Sequence, residues 1–202
     1  IAGNKGSQAS DYVLNETSKE VSAVIGKRTL TLRGGKEYDG TANLTGYLSL
    51  GNLVGTEELQ YTATASDAHV ATVGKYVSGI TLSDDSASGG LAGNYEAPGL
   101  TVSQTGVNTV TISAATLTPT LTNSAVSKTY DGTTEATGFT PTWSYAGLAS
   151  GDTGATLTST GAAYNDEDVA DATKVTVSGL AIGSIAGNKG SQASDYVLNE
   201  TS

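Results

Sequence analysis

Leu59-Gln60-Tyr61-Thr62-Ala63-Thr64-Ala65 places apolar residues at the odd positions and polar ones at the even positions. Successive side chains of a strand point to opposite faces, so this period of two predicts a strand with one face buried and one wet. The pattern recurs where Val110 and Ile112 alternate with Thr109, Thr111 and Ser113, and where Val175 and Val177 alternate with Thr176 and Ser178. No long stretch carries an apolar stripe of helical period. The best helical signal is a short segment at Asp84–Ala92, or directly after either Tyr-Asp-Gly-Thr. Composition agrees: 31 Thr favour strands, 26 Gly mark turns, and only 3 Pro interrupt. Short strand signals broken by Gly, Asn and Asp predict a mainly β, mainly antiparallel fold, either β-grasp-like or immunoglobulin-like.

Composition also excludes several functions. The chain has no Cys, which removes disulfides, thiolate metal sites and Cys nucleophiles. Asp and Glu number 20 against 10 Lys and Arg, a net charge of −10. A nucleic-acid binder needs the opposite sign to displace phosphate counterions, and an anionic membrane is disfavoured for the same reason. The acidity suits solubility and repulsion between neighbouring molecules, with cation binding as the sharper alternative. Only 6% of residues are aromatic, so the core must be built from Val, Leu, Ile, Ala and a few Tyr. No signal peptide or transmembrane run is visible, and the absence of Met implies that the chain does not begin at a natural start. Lack of Cys also suits repeats exported across a bacterial envelope, where misbridging between copies is avoided.

Repetition sets the organisation. IAGNKGSQASDYVLNETS occupies residues 1–18 and returns unchanged at 185–202. Such identity predicts one full period of a tandem array plus the start of another copy, an excerpt of a longer protein. A weaker repeat lies inside the period. Lys36-Glu37-Tyr38-Asp39-Gly40-Thr41 returns as Lys128-Thr129-Tyr130-Asp131-Gly132-Thr133. Thr45-Gly46-Tyr47 answers Thr137-Gly138-Phe139, Ser78-Gly79-Ile80 answers Ser178-Gly179-Leu180, and Leu91-Ala92-Gly93-Asn94 answers Ile185-Ala186-Gly187-Asn188. The expected division is a closing segment of a preceding repeat at 1–18, a first β domain at 19–112 and a second at 113–202, set end to end. Lys19–Leu32 and Leu100–Leu121 are expected to carry strands that run almost directly from one domain into the next.

The Lys-x-Tyr-Asp-Gly-Thr motif has a plain physical use. Gly tolerates positive φ, an Asp side chain accepts hydrogen bonds from nearby backbone, and Tyr anchors the turn with its ring while its hydroxyl reaches a partner. In the second half the motif is followed by Ser150-Gly151-Asp152, a Thr-rich strand at Ala155–Thr160, an Asp-rich turn at Asn165–Asp168, then Val175–Leu180 and a closing Asp195-Tyr196-Val197-Leu198. The first half follows less tightly, with Gly55-Thr56-Glu57 and Asn94-Tyr95 in the corresponding places. Motif and context together resemble the YDG/MBG ("mostly beta grasp") repeats of large bacterial surface adhesins, including filamentous-haemagglutinin-like proteins. The resemblance implies a stalk module that extends an adhesive tip or packs a biofilm matrix, and it carries over no catalytic residue.

Other candidate sites are weaker. His69 is the single histidine, opposite Asp168 of the second half, and reads as an exposed turn residue rather than a catalytic base, since no Gly-x-Ser-x-Gly elbow accompanies it. Asp166, Asp168 and Asp171, with Glu167, form the densest carboxylate cluster and are the calcium candidates, although their spacing is not that of an EF-hand loop. Trp143, beside Pro141 and Tyr145, is the one Trp; it reads as a packing anchor or, in the alternative, as a platform for a sugar ring. The expectation is therefore a non-enzymatic extender repeat without cofactor at the bacterial cell surface. It would be a monomer whose partners are adjacent repeats, with polysaccharide or surface ligands reached through other domains. The alternative is a carbohydrate-binding module gripping polysaccharide or host glycan through exposed aromatics.

Overall fold

A computed structural model describes Gly6 and residues 8–199. The β propensity of the chain is expressed as fourteen strands among them. The first seven are β1 (Arg28–Thr29), β2 (Thr31–Glu37), β3 (Leu48–Gly51), β4 (Gln60–Ala65), β5 (Val77–Ser83), β6 (Tyr95–Glu96) and β7 (Asn108–Ser113). The other seven are β8 (Ala115–Leu121), β9 (Trp143–Ala146), β10 (Asp152–Thr158), β11 (Gly161–Tyr164), β12 (Val175–Ser178), β13 (Ala181–Gly187) and β14 (Tyr196–Leu198). Helical structure among the described residues is confined to three 3-10 turns, Ala9–Asp11, Ala92–Asn94 and Ala193–Asp195. The protein is mainly β.

Every sheet is assembled either from β1–β7 or from β8–β14, the first and second halves below. In the first half β2 lies between an antiparallel β3 and a parallel β7, while β1 runs parallel to β6. Strands β4 and β5 form a hairpin. In the second half β8 does the work of both β1 and β2, pairing parallel with β14 and antiparallel with β9. Arg28 faces Tyr95 as Ala115 faces Tyr196, which fixes the correspondence between the halves. The second hairpin is longer: β10 pairs with β13 and β11 with β12, with a break at Ser159-Thr160 and Gly179-Leu180. The strands closing each half thus pair in parallel, while five of the eight strand pairings are antiparallel, so the sheets are mainly antiparallel, as expected, with parallel closing strands.

Three sequence expectations are corrected. Asp84–Ala92 is not helical: Asp85 bridges to Gly90, and the Asp84 carboxylate accepts the Ala92 N–H at 2.8 Å. Asp and Ser side chains compete with helical backbone bonds in this way. The residues after each Tyr-Asp-Gly-Thr are also non-helical, since Asn43 and Glu135 bridge to Thr64 and Ala163. The repeat register slips as well. Ser78-Gly79-Ile80 lies inside β5, whose ladder bulges at Thr64/Ala65, whereas Ser178-Gly179-Leu180 ends β12 and makes the break before β13. Leu91–Asn94 matches Gln192–Asp195, because both lead through a 3-10 turn into the closing Tyr; Ile185–Gly187 belong to β13.

Leu30, Leu32, Leu44 and Val77 are fully buried in the first half, and Leu117 is their partner from the second. Each such side chain contributes roughly 1.5–3 kcal/mol of transfer free energy. Tyr38, Ala115 and Tyr196 make this cluster continuous across the two halves. One residue, Ala114, separates β7 from β8, so strand does run into strand there. Lys19–Leu32 behaves otherwise: residues 19–27 carry no strand, and Val21, Val24 and Ile25 are at least 90% exposed. Of the duplicated opening, residues 1–5 and 7 lie outside the described residues, while Tyr12 and Leu14 are exposed.

Candidate functional site

The Lys-x-Tyr-Asp-Gly-Thr motif folds into the same clasp in both halves. Lys36 Nζ donates to Asp39 Oδ1 at 2.6 Å and to Thr41 Oγ1 at 3.1 Å. The same Asp39 oxygen accepts the Thr41 N–H and the Thr41 hydroxyl at 2.9 and 2.8 Å. Lys128 Nζ repeats this with Asp131 Oδ1 at 2.8 Å and Thr133 Oγ1 at 3.1 Å, and Asp131 Oδ1 accepts from Thr133 N–H and Oγ1. Each ammonium also lies near an aromatic ring, Tyr47 at 5.8 Å and Tyr164 at 5.4 Å. Gly40 and Gly132 take φ of 78° and 71°, which a side chain would strain. Burial pushes the Asp39 carboxyl up, yet the Lys36 and Thr41 bonds outweigh it and hold the group below its ordinary value. Lys128 and then Thr133 lower Asp131 likewise.

The clasp determines where the tyrosine goes. Tyr38 is only 4% exposed because it is covered by the second half. Its hydroxyl lies 2.6 Å from Ser191 Oγ, its ring meets Tyr196 edge-on at 5.6 Å, and it stacks on His69 at 6.2 Å. Ser191 donates to Asp152 Oδ1 at 2.9 Å, and Tyr196 donates to Asp152 Oδ2 at 2.5 Å. His69, expected to be a free turn residue, is instead half-buried, with Nδ1 at 2.8 Å from Asp195 Oδ2. The Val70 N–H donates to Asp195 Oδ1 at 2.7 Å and the Gln192 N–H to Oδ2 at 2.8 Å, so the fully buried Asp195 carboxylate is satisfied largely from across the contact.

A second device, shared by both halves, holds the receiving surface. Tyr95 donates to Glu57 Oε2 at 2.5 Å and accepts the Val54 N–H at 3.0 Å; Tyr196 does the same with Asp152 and the Ala149 N–H. Gly55-Thr56-Glu57 and Ser150-Gly151-Asp152 therefore correspond in space as in sequence, with the acid as the working residue. Sequence reasoning did not single out Glu57, Asp152, Asp195 or the two closing tyrosines as a site. The acids follow matched tripeptides, which was the available signal; the His69–Asp195 pairing had none.

The second half offers the same tyrosine without a cover. Tyr130 is 60% exposed, and Val169, the counterpart of Val70, is 80% exposed. The turn below it is held by its own side chains: Asp166 Oδ1 accepts the Asp168 N–H at 2.9 Å, and Asn165 Nδ2 donates to Asp171 O at 3.0 Å. Among the described residues no three His, Cys, Asp or Glu side chains converge as a cation cage. Of the calcium candidates, Asp166 uses its carboxylate in the turn, and Asp168 and Asp171 contribute main-chain carbonyls to it. Trp143 is half-buried on β9, an edge strand, opposite Leu121.

Two Lys-Asp-Thr clasps, two Tyr–acid pairs and parallel closing strands are the shared architecture, and the second half shows it in the form nearest a known family. Residues 111–202 match the family model of the YDG domain. The match begins within β7 and takes in all of β8–β14, so the YDG segment coincides with the half whose tyrosine is exposed. No curated protein and no solved structure matches the chain. No described helix is long and apolar enough to cross a membrane.

Proposed function

We propose that the chain is a non-catalytic extender repeat of a bacterial surface adhesin, made of two YDG-like domains divided near residue 113. Its work is to hold successive units in fixed relation so that a binding tip is carried away from the cell. The observation that carries this reading is the difference between Tyr38 and Tyr130. The first is seated on the closing tyrosine of the following half, and the second is presented for a further unit. Neighbour-on-neighbour burial is how repeat arrays gain stability and stiffness. The Tyr and acid residues serve that contact, and no nucleophile–base pair is needed to explain them.

Solution scattering on chains of one, two and three periods tests the proposal. The longest dimension is expected to grow by a constant step per period; growth with the square root of length would contradict it. The alternative carbohydrate-binding role rests on Trp143. A glycan array probed with the intact chain and with Trp143→Ala is expected to give no saturable signal in either.

A further inference from the structure

Among the described residues the second half shows no counterpart of β7. In the first half β7 fills a slot between β2 and the start of β5. It pairs with β2 from Leu32↔Asn108 to Glu37↔Ser113, and its Val110 N–H donates to Lys75 O at 3.0 Å. The buried Asn108 side chain accepts the Val77 N–H at 2.8 Å and donates to Val77 O at 3.1 Å. In the second half the walls are present without the filler. Strand β8 stops at Leu121, and residues 122–134 carry no strand. Between Leu121 and Lys174–Val177 runs a groove of about 890 Å³, continued by another of about 240 Å³ that shares Leu121, Lys174 and Val175. Burial registers the difference. Val77 is 0% exposed, while its counterpart Val175 is half-buried; the Lys36 side chain is 1% exposed and that of Lys128 18%. The Tyr164 hydroxyl in the groove wall is buried with no hydrogen-bond partner among the described residues.

We propose that this groove receives residues 19–27 of a second copy of the chain, added as a strand parallel to 122–128. The occupant follows from register. Arg28 and Ala115 hold the same place, each opposite a closing tyrosine. Counting back from them in step sets Val21, Ala23 and Ile25 against Asn108, Val110 and Ile112, the three residues of β7 that face inward and are buried. Because 1–18 repeats 185–202, residues 19–27 follow a closing strand of second-half sequence as β7 follows that of the first half. Val21, Val24 and Ile25, 90–98% exposed here, have no cover of their own. Adding a strand gives main-chain hydrogen bonds along the groove and seats alternate side chains, the usual logic of β-augmentation. The inference deepens the tandem-repeat reading and rests on it: each unit would be completed by the beginning of its successor.

The test uses the intact 202-residue chain and the synthetic peptide Lys-Glu-Val-Ser-Ala-Val-Ile-Gly-Lys, residues 19–27. Calorimetry is expected to show saturable binding, with amide shifts concentrated at 122–128 and 174–177. A peptide carrying Ile25→Asp is expected to bind at least tenfold more weakly, and a scrambled peptide not at all. Without peptide, the chain is expected to associate head to tail as its concentration rises, and Ile25→Asp in the chain, at an exposed position that folding does not need, should abolish that association. No peptide binding, equal binding of the scrambled sequence, or shifts away from the groove would overturn the inference. Rods in scattering together with a peptide that does not bind would overturn it alone; failure of the rods would overturn the extender reading.

Discussion

The carboxylate of Asp195 accepts the main-chain N–H of Val70 at 2.7 Å, tying the second half to a turn of the first. With His69 on its other oxygen, Asp195 has no route to water. Asp195→Ala leaves the Val70 and Gln192 N–H groups without their acceptor and is expected to cost about 1–3 kcal/mol. Asp195→Asn, which copies Asn94 at the same place in the first half, keeps one acceptor oxygen and is expected to cost less. Urea denaturation measures both, and residual dipolar couplings should show the halves reorienting in Asp195→Ala alone.

The two motif tyrosines should respond differently to loss of their hydroxyls. Tyr38→Phe removes the bond to Ser191 and is expected to cost about 0.5–1.5 kcal/mol in thermal or urea unfolding. Tyr130→Phe is expected to leave a single chain unchanged, because its side chain is exposed. In a chain of two full periods Tyr130→Phe should become destabilising as well, since the proposed neighbour would then cover it.

Acid should weaken the clasps. The Asp39 and Asp131 carboxyls lie below their ordinary value of 3.8 in the folded chain. A depressed folded value means that the stabilisation is complete above the unfolded value and is lost as pH falls through the folded one. The urea midpoint should therefore decline below about pH 4, the ordinary carboxylate range. Replacing both Lys36 and Lys128 by Met should flatten that decline, which a pH series on the variant checks.

Alkali should act on the tyrosine pairs with the opposite sign. Burial, and then the hydrogen bond to Asp152, push the Tyr196 hydroxyl well above its ordinary value of 10.0. Burial also raises Tyr38, where the bond to Ser191 opposes the shift. A raised folded value gives stability that is intact below the unfolded value and disappears as pH climbs towards the folded one. Ultraviolet titration should show Tyr196 ionising only together with unfolding above pH 10, and in Tyr196→Phe that coupling should be lost.

The sequence made local chemistry legible and left long-range contact hidden. Alternation at Leu59–Ala65 located β4, and Lys36–Thr41 with Lys128–Thr133 located both clasps, because each depends on neighbours within a few residues. Matching Gly55-Thr56-Glu57 to Ser150-Gly151-Asp152 succeeded because the same hydrogen-bonded tyrosine constrains both. Ser78-Gly79-Ile80 misled because a bulge in the β4–β5 ladder and a longer second hairpin shift the register, and a shared tripeptide cannot report either. His69 looked unpartnered because Asp195 lies 126 positions away, and nothing in the local pattern marks such a pair. Residues 19–27 were anticipated as a strand continuous with β1; their apolar residues signal one, yet they form none here, and Val21, Val24 and Ile25 find no cover among the described residues.

The parallel ladder between β2 and β7 governs how the first half would respond to tension. The chain enters by way of β1 and β2 and leaves through β7, and these neighbours run in the same direction over six residue pairs. A pull on the two ends drags them past each other lengthwise, so the rungs resist in concert instead of opening one at a time like a zipper. Forced unfolding is governed by the barrier to rupture rather than by equilibrium stability. A module of modest thermodynamic stability can thus be a strong link in a tether, provided that its last strand stays in place.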